Sequence, residues 1–515
     1  MSAPAQAQVR SMAFKQAMAE AAASDRDLAA FYRARDYAPL WVDGAVGQAR
    51  RQALFEAFDR APLHGLPASR YPADALYDTL REARTARDLG FAEVALSRGF
   101  LRLAHDMQSG LLNPSEVVGA IKRERAPGAT QDLLSGLSAA EPNAYMRRLA
   151  PQTPEYRRLL KARLDLEGVI AAGGWGDAVP GQAVNPGDTG ARVIVLRNRL
   201  IAMGYLDRTA SAEFDRHLQA AVRRFQVAHG LEADGVAGRG TLDQINVTPE
   251  ARLQSVHVAL ERERWLNKAD GQQTRQIRVN LTDFTARVLD KGVETFRTRA
   301  VVGKDTKGRR SPEFSDEMEF MVINPTWHVP RSIAVKEYLP KLRRNRYAVG
   351  HLKMVNSRGQ VVSRDRINFS AYGARSFPYA MKQPPSDNNA LGLVKFMFPN
   401  QYNIYLHDTP HKDLFTHETR AYSHGCIRLA DPFGFAYHLL ARQEADPKGF
   451  FHTALDTGSE TKVMLDIKIP VHIIYRTAFT DAKTGIQYRR DVYGRDAVIW
   501  QALRDAGVSL TPYQG

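Results

Sequence analysis

After Leu266 the hydrophobic period of this chain switches from that of a helix to that of a strand, and no other feature constrains the fold as much. Between about Ala13 and Ile170, residues such as Phe100, Leu103, Ala104 and Met107 keep the i, i+3, i+4, i+7 spacing of one helix face. Pro39, Pro62, Pro67, Pro72 and Pro114 punctuate this stretch, and Phe31, Tyr32 and Trp41 read as core aromatics. A helix over 249–266 carries Leu253, Val256 and Leu260. Alternation then begins with Ile277, Val279 and Leu281, and resumes at Phe296, Thr298, Ala300 and Val302 after the turn chemistry of Asp290-Lys291-Gly292. Met318, Phe320 and Val322 continue it. From Pro330 to Pro385 the pattern turns helical and irregular, which predicts an insertion, a candidate lid, in a mainly β domain. The expected class is multidomain α+β: a helical scaffold over 1–172, a linker and compact helical unit over 173–248, and a mainly β domain over 249–515 with 331–385 inserted as a cap.

At roughly 150 residues per domain, 515 residues suit three domains. No window approaches the ~18 continuous apolar residues of a membrane-spanning helix. The net charge of +15 favours a polyanionic or carboxylate-rich partner. Nucleic acid is disfavoured, because the cations are dispersed with no run of five. One cysteine, Cys426, excludes an internal disulfide and any Cys-rich metal centre. The start lacks the apolar stretch of an export signal. Ala5-Gln6-Ala7 resembles a signal-removal site, and an Ala-rich start explains it equally well.

Within the middle unit, Val193, Leu196, Leu200 and Met203 form one helical stripe, and Leu218, Ala221, Val222 and Phe225 a second. Phe225-Gln226 then leads to Gly230-Leu231, Asp234-Gly235-Val236, Gly238 and Thr241-Leu242. Over about 187–247 this order resembles the three-helix peptidoglycan-binding domain. The resemblance implies that fold and binding to wall glycan and peptide, although some members of the family fill the groove with their own chain.

The chemistry concentrates near the cysteine. His407 precedes Cys426 by nineteen positions, and Ser423-His424-Gly425-Cys426-Ile427-Arg428 follows a loop. A thiol with an ordinary pKa of ~8.5 is only slightly ionised at neutral pH, so a nucleophilic cysteine needs an imidazole to take its proton. Gly425 would admit a substrate carbonyl to the backbone, and the Cys426 N–H would serve an oxyanion. Arg428 would favour thiolate or hold a carboxylate. Two other readings stand beside this one. His407, His411, His417 and His424 with Asp408 and Asp413 could make a zinc hydrolase, although Pro410 sits badly with a helical ligand pair. Alternatively, Cys426 is a small core residue and the histidines are loop polar groups.

Leu406-His407-Asp408-Thr409-Pro410 together with Ser423 to Arg428 resembles the signature of the L,D-transpeptidase (YkuD-type) catalytic domain. Asn324-Pro325-Thr326-Trp327, Gln383-Pro384-Pro385 and Lys395 to Asn400 extend it, and the three-part layout is similar to that of large Gram-negative members. The resemblance implies Cys426 as nucleophile and His407 as base. It also implies an oxyanion and substrate pocket shaped by Ser423, His424, Gly425 and Arg428, with Trp327 and Tyr405 lining the donor side. Asp408, adjacent to His407, is poorly placed to orient it, so a backbone carbonyl is expected there. Ser311-Pro312 stands where the family more often has Thr-Pro. Also implied are peptidoglycan stem peptides as partners, carbapenem-type inhibitors, no metal or organic cofactor, and a periplasmic, wall-associated site. A silent wall-binder, or hydrolysis or D-amino-acid exchange at the same site, are the alternatives.

Overall fold

The computed structural model describes residues 3–267, 275–481 and 483–510. It comprises two compact units, Met1–Asp270 with Arg476–Gly515, and Gly271–Tyr475. This division differs from the boundaries expected at 249 and 515. Leu253, Val256, Leu260 and Trp265 of the helix Pro249–Leu266, and Ile499 and Leu503 of the helix Arg495–Asp505, bury in one core with scaffold residues such as Phe31, Trp41 and Phe100. Their apolar stripes match that core. No helix among the described residues is long and apolar enough to cross a membrane.

The longest scaffold helix, Ala86–Ser109, starts at a capping box in which Thr85 and Asp88 satisfy each other's backbone N–H groups. It delivers Glu93, fully buried, whose carboxylate accepts from the N–H groups of Leu40 (2.7 Å), Trp41 (2.9 Å) and Val42 (3.1 Å) and from the Tyr32 hydroxyl (2.9 Å). Burial pushes its pKa up, and these donors oppose the shift.

The helices Ala191–Ala202, Arg216–Ala228 and Arg239–Ile245 enclose a separate core that includes Val193, Leu196, Phe214, Leu218, Phe225 and Leu242. The Phe225-Gln226 to Asp234-Gly235 spacing has a local cause. Buried Gln226 donates to Asp234 Oδ1 (2.7 Å) and accepts from the Gly235 N–H (2.9 Å), and Gly235 turns at φ +79°.

In the second unit the strands are β1 (Gln276–Asn280), β2 (Thr285–Asp290), β3 (Val293–Gly303), β4 (Phe314–Ile323), β5 (Trp327–His328), β6 (Lys353–Val355), β7 (Ala380–Gln383), β8 (Val394–Met397), β9 (Leu406–His407), β10 (Ala421–Ser423), β11 (Ile427–Leu429) and β12 (Thr461–Ile474). The hairpin β13 (Ala478–Asp481) with β14 (Gly485–Tyr488) belongs to the helical unit. The order β3-β11-β9-β8-β4-β12-β1-β2 returns to β3, so the sheet closes on itself, with β10 added beside β3. Lys291 (φ +51°) and Gly292 (φ +80°) form the two-residue β2–β3 turn, as positive φ at both positions requires.

Between β4 and β8 the insertion makes its own three-stranded sheet, β5-β7-β6, over a core of Trp327, Ile333, Leu339, Leu352, Phe369 and Phe377 among others. The helical, irregular pattern concealed this sheet, because strands of two to four residues are too short to show a period. The sheet also begins at Trp327, before the expected start at 331.

Candidate active site

β9 and β11 run parallel, with Leu406 beside Ile427 and His407 beside Arg428. Leu406, Ile427 and Leu429 are fully buried and face the core. Alternation therefore puts Tyr405, His407, Cys426 and Arg428 on the other face. Tyr405 and His407 are in ring contact (centroids 5.6 Å), and the Cys426 thiol donates to the Asn403 carbonyl (3.5 Å). β9 is only two residues long, and the loop before it is set by Asn400. Its side chain donates to the carbonyls of Phe398 (2.6 Å) and Ile404 (2.7 Å) and accepts from the Tyr402 N–H (3.0 Å).

His407 is buried, and its Nδ1–H donates to the Asp408 carbonyl (2.5 Å). That bond leaves Nε2 as the acceptor of a neutral ring. Burial lowers the imidazole pKa to about 3, with Arg428 next in effect. Burial also raises the Cys426 thiol from 9.0 to about 11, against the opposing influence of Tyr405 and Arg428. The resting pair is thus neutral thiol and neutral imidazole. Burial lowers the pKa of the Arg428 guanidinium, and its Nε has no hydrogen-bond partner among the described residues.

Two hydroxyls hold the cysteine turn. Ser423 Oγ accepts from the Gly425 N–H (3.0 Å) and donates to the Cys426 carbonyl (2.5 Å). Ser311 Oγ donates to the Gly425 carbonyl (2.6 Å) and accepts from the Gly303 N–H (3.0 Å). Gly425 has φ +124°, a conformation that L side chains rarely adopt. With its carbonyl on Ser311, the trans peptide aims the Cys426 N–H the opposite way. No described residue accepts that N–H.

His424 pairs with the insertion. It is exposed, and its Nε2 pairs with Glu337 of the insertion (2.8 Å), which also holds Arg309 (2.7 Å). Trp327 is buried in the insertion core, edge-on to Tyr338, and Tyr405 packs partly against that core. The other candidate ligands of a metal disperse: Asp408 pairs with Lys412 (2.5 Å) and accepts from the Leu393 N–H (2.9 Å), and His417 packs on Tyr422. Among the described residues no three His, Cys, Asp or Glu side chains gather as a ligand group.

Sequence reasoning missed Ser311, Asn400 and Glu337 as positioning groups. The departure from Thr-Pro at Ser311-Pro312 pointed to the first, and Asn400 ended the Lys395 to Asn400 segment without a role of its own. Ser311→Ala takes away the hydroxyl that donates to the Gly425 carbonyl. It should cost about 2 kcal/mol in stability and slow covalent capture of an acylating agent by about tenfold, with Ser311→Thr restoring both. Denaturant titration and time-resolved intact mass measure the two effects, and equal rates in wild type and Ser311→Ala would refute this role.

Residues 274–461 match the family model described as L,D-transpeptidase catalytic domain, YkuD. The chain carries a YkuD-family L,D-transpeptidase domain. Ahead of that domain, residues 189–245 match the family described as "Putative peptidoglycan binding domain", and residues 26–162 match a scaffold domain. A curated relative from Haemophilus influenzae, named "Putative L,D-transpeptidase", is 30% identical over 223 residues, which is 43% of this chain and 44% of the relative. The match thus spans under half of that relative's length. Two solved L,D-transpeptidase structures also align. The one from Xylanimonas cellulosilytica has 17% identity over 57% of this chain and 98% of that one, at a TM-score of 0.17. The one from Stackebrandtia nassauensis has 18% identity, 58% and 97% coverage, and a TM-score of 0.22. The L,D-transpeptidase domain contains the whole Tyr405–His407–Cys426–Arg428 face.

Proposed function

We propose that this chain crosslinks peptidoglycan stem peptides through a thioester on Cys426. The observation that carries the reading is the shared face of β9 and β11, with the His407 tautomer held by the Asp408 carbonyl. On donor binding, Nε2 of His407 takes the thiol proton and Sγ attacks the carbonyl of an L-residue. The Cys426 N–H stabilises the oxyanion. The C–N bond to the following D-amino acid then breaks, and the imidazolium returns the proton to the leaving amine. An amine from a second stem, such as that of diaminopimelate, attacks the thioester. Its proton passes through His407 back to sulfur, and the crosslink is released. No step needs a metal or organic cofactor, because the donor's own leaving group is exchanged.

Arg428, with a donor unspent beside the thiol, suits a stem-peptide carboxylate. Arg428→Gln should raise KM for the donor by about tenfold or more at nearly constant kcat. A fall in kcat alone would contradict substrate anchoring.

The three-helix module supports wall attachment by raising the local concentration of the catalytic domain, and a net charge of +15 suits a carboxylate-rich lattice. This reading places the protein at the periplasmic cell wall and makes it a carbapenem target. Incubation with purified tetrapeptide muropeptides, followed by mass spectrometry, tests it. A crosslinked dimer with release of a D-amino acid is expected. Release without a dimer would make the site a carboxypeptidase, and the absence of both products would overturn the reading.

A further inference from the structure

In the helical unit a cavity of about 390 Å³ opens between the helix Pro154–Ala171, the three-helix module and the β13–β14 hairpin. Its lining is largely apolar and aromatic. Phe225 and His229 stack at 3.7 Å between ring centroids, Tyr488 lies against His229 at 5.5 Å, and Tyr205 and Trp175 complete the aromatic surface.

One charge in this lining has no counter-ion among the described residues. Arg252, on the first turn of the helix Pro249–Leu266, is only 6% exposed. Its Nη2 donates to the carbonyl (3.0 Å) and side-chain oxygen (3.1 Å) of Gln244, and its guanidinium lies 4.4 Å over the Tyr488 ring. No described carboxylate pairs with it, and no described acceptor meets its Nε or Nη1. The other charges of the lining are already matched. Lys161 pairs with Asp165 (2.7 Å), and Arg158 with Glu155 (3.4 Å) and the Thr480 hydroxyl (2.6 Å). Burial lowers the Arg252 pKa to about 10, which leaves it cationic at neutral pH. A buried cation without an anion is costly, and a ligand anion in the cavity would offset that cost. The remaining surface suits a flat ring rather than a second charge, and the volume suits a small organic molecule.

We propose that this cavity binds a ring-bearing carboxylate, its acid group on the Nε and Nη1 edge of Arg252 and its ring against Tyr205, His229 and Tyr488. Two sources share that chemistry: the amino-sugar acid of the wall where its lactyl carboxyl carries no stem peptide, which rests on the wall-directed reading above, and a free aromatic acid, which does not.

Calorimetric titration of the full chain separates them, with N-acetylmuramic acid, its carboxylate-free counterpart N-acetylglucosamine, and indole-3-propionate as probes. At least one of the two acids should bind, at least about tenfold more tightly than N-acetylglucosamine. Binding of the sugar acid alone assigns the wall source, and binding of the indole acid alone assigns the free acid. Arg252→Lys should weaken the bound acid by about tenfold or more, since lysine loses the fork geometry. Ala162→Trp, which adds bulk to the cavity lining and leaves Arg252 in place, should abolish binding and serves if Arg252→Lys fails to fold. No heat from either acid up to about 10 mM, or equal affinity in wild type and Ala162→Trp, would overturn the site. Carbapenem capture at Cys426, measured on the same preparation, distinguishes failure of this site from failure of the transpeptidase reading.

Discussion

Cys426→Ala should abolish both carbapenem capture and muropeptide crosslinking, a loss of about 10⁴-fold or more, because alanine leaves no atom to carry the acyl group. The pH dependence says how the thiol is activated. With the Cys426 pKa raised to about 11, roughly one molecule in 10⁴ is thiolate at pH 7. Since only the thiolate attacks, alkylation by a neutral reagent such as iodoacetamide should climb about tenfold per pH unit from 7 to 10, and level off only above the raised pKa. His407, with its pKa lowered to about 3, stays a neutral base over that whole range. His407→Ala should therefore leave alkylation at pH 9 nearly unchanged while slowing carbapenem acylation by about 10² to 10⁴-fold, where proton removal is coupled to attack. An alkylation plateau below pH 7 would instead reveal a preformed thiolate–imidazolium pair and refute this account. Crosslinking retained in Cys426→Ala would sink the cysteine mechanism.

Glu93→Ala should lower the stability of the helical unit by about 3 to 5 kcal/mol. Its carboxylate receives three consecutive backbone N–H groups, those of Leu40, Trp41 and Val42, and the Tyr32 hydroxyl, all close to the fully buried Trp41 ring. Alanine strands those donors away from water, and each carries a desolvation penalty of about 1 to 3 kcal/mol, reduced where the cavity admits a water molecule. Glu93→Gln keeps the volume and one acceptor oxygen, so it should lose about half as much. Because the chain has two units, the relevant quantity is the midpoint of the transition that reports the scaffold helices, followed by circular dichroism in urea. A midpoint equal to wild type in Glu93→Ala would show that this carboxylate does not organise the core.

The sequence by itself determined the elements whose pattern is local. The Phe100, Leu103, Ala104 and Met107 stripe is a buried helix face. The Gln226 to Gly235 spacing is one side chain closing one loop, and the Asp290-Lys291-Gly292 turn is a hairpin. The motifs around His407 and Cys426 were equally legible as residue patterns, and they fall inside the span that matches the L,D-transpeptidase catalytic domain. Only the tertiary structure decided what those residues meet. Ser311 reaches Gly425 across 114 positions and Glu337 reaches His424 across 87, and neither pairing leaves a trace in local spacing. The β9–β11 pairing, which puts the thiol and imidazole on one face, joins strands of two and three residues that show no alternation of their own. The helix 249–266 was readable as a helix, but its allegiance to the scaffold core was not. The unpaired charge of Arg252 became visible only once every other charge of the cavity had found its partner. The physical reason is common to all of these. A period reports which face of an element is buried, and it carries no information about which distant element buries it.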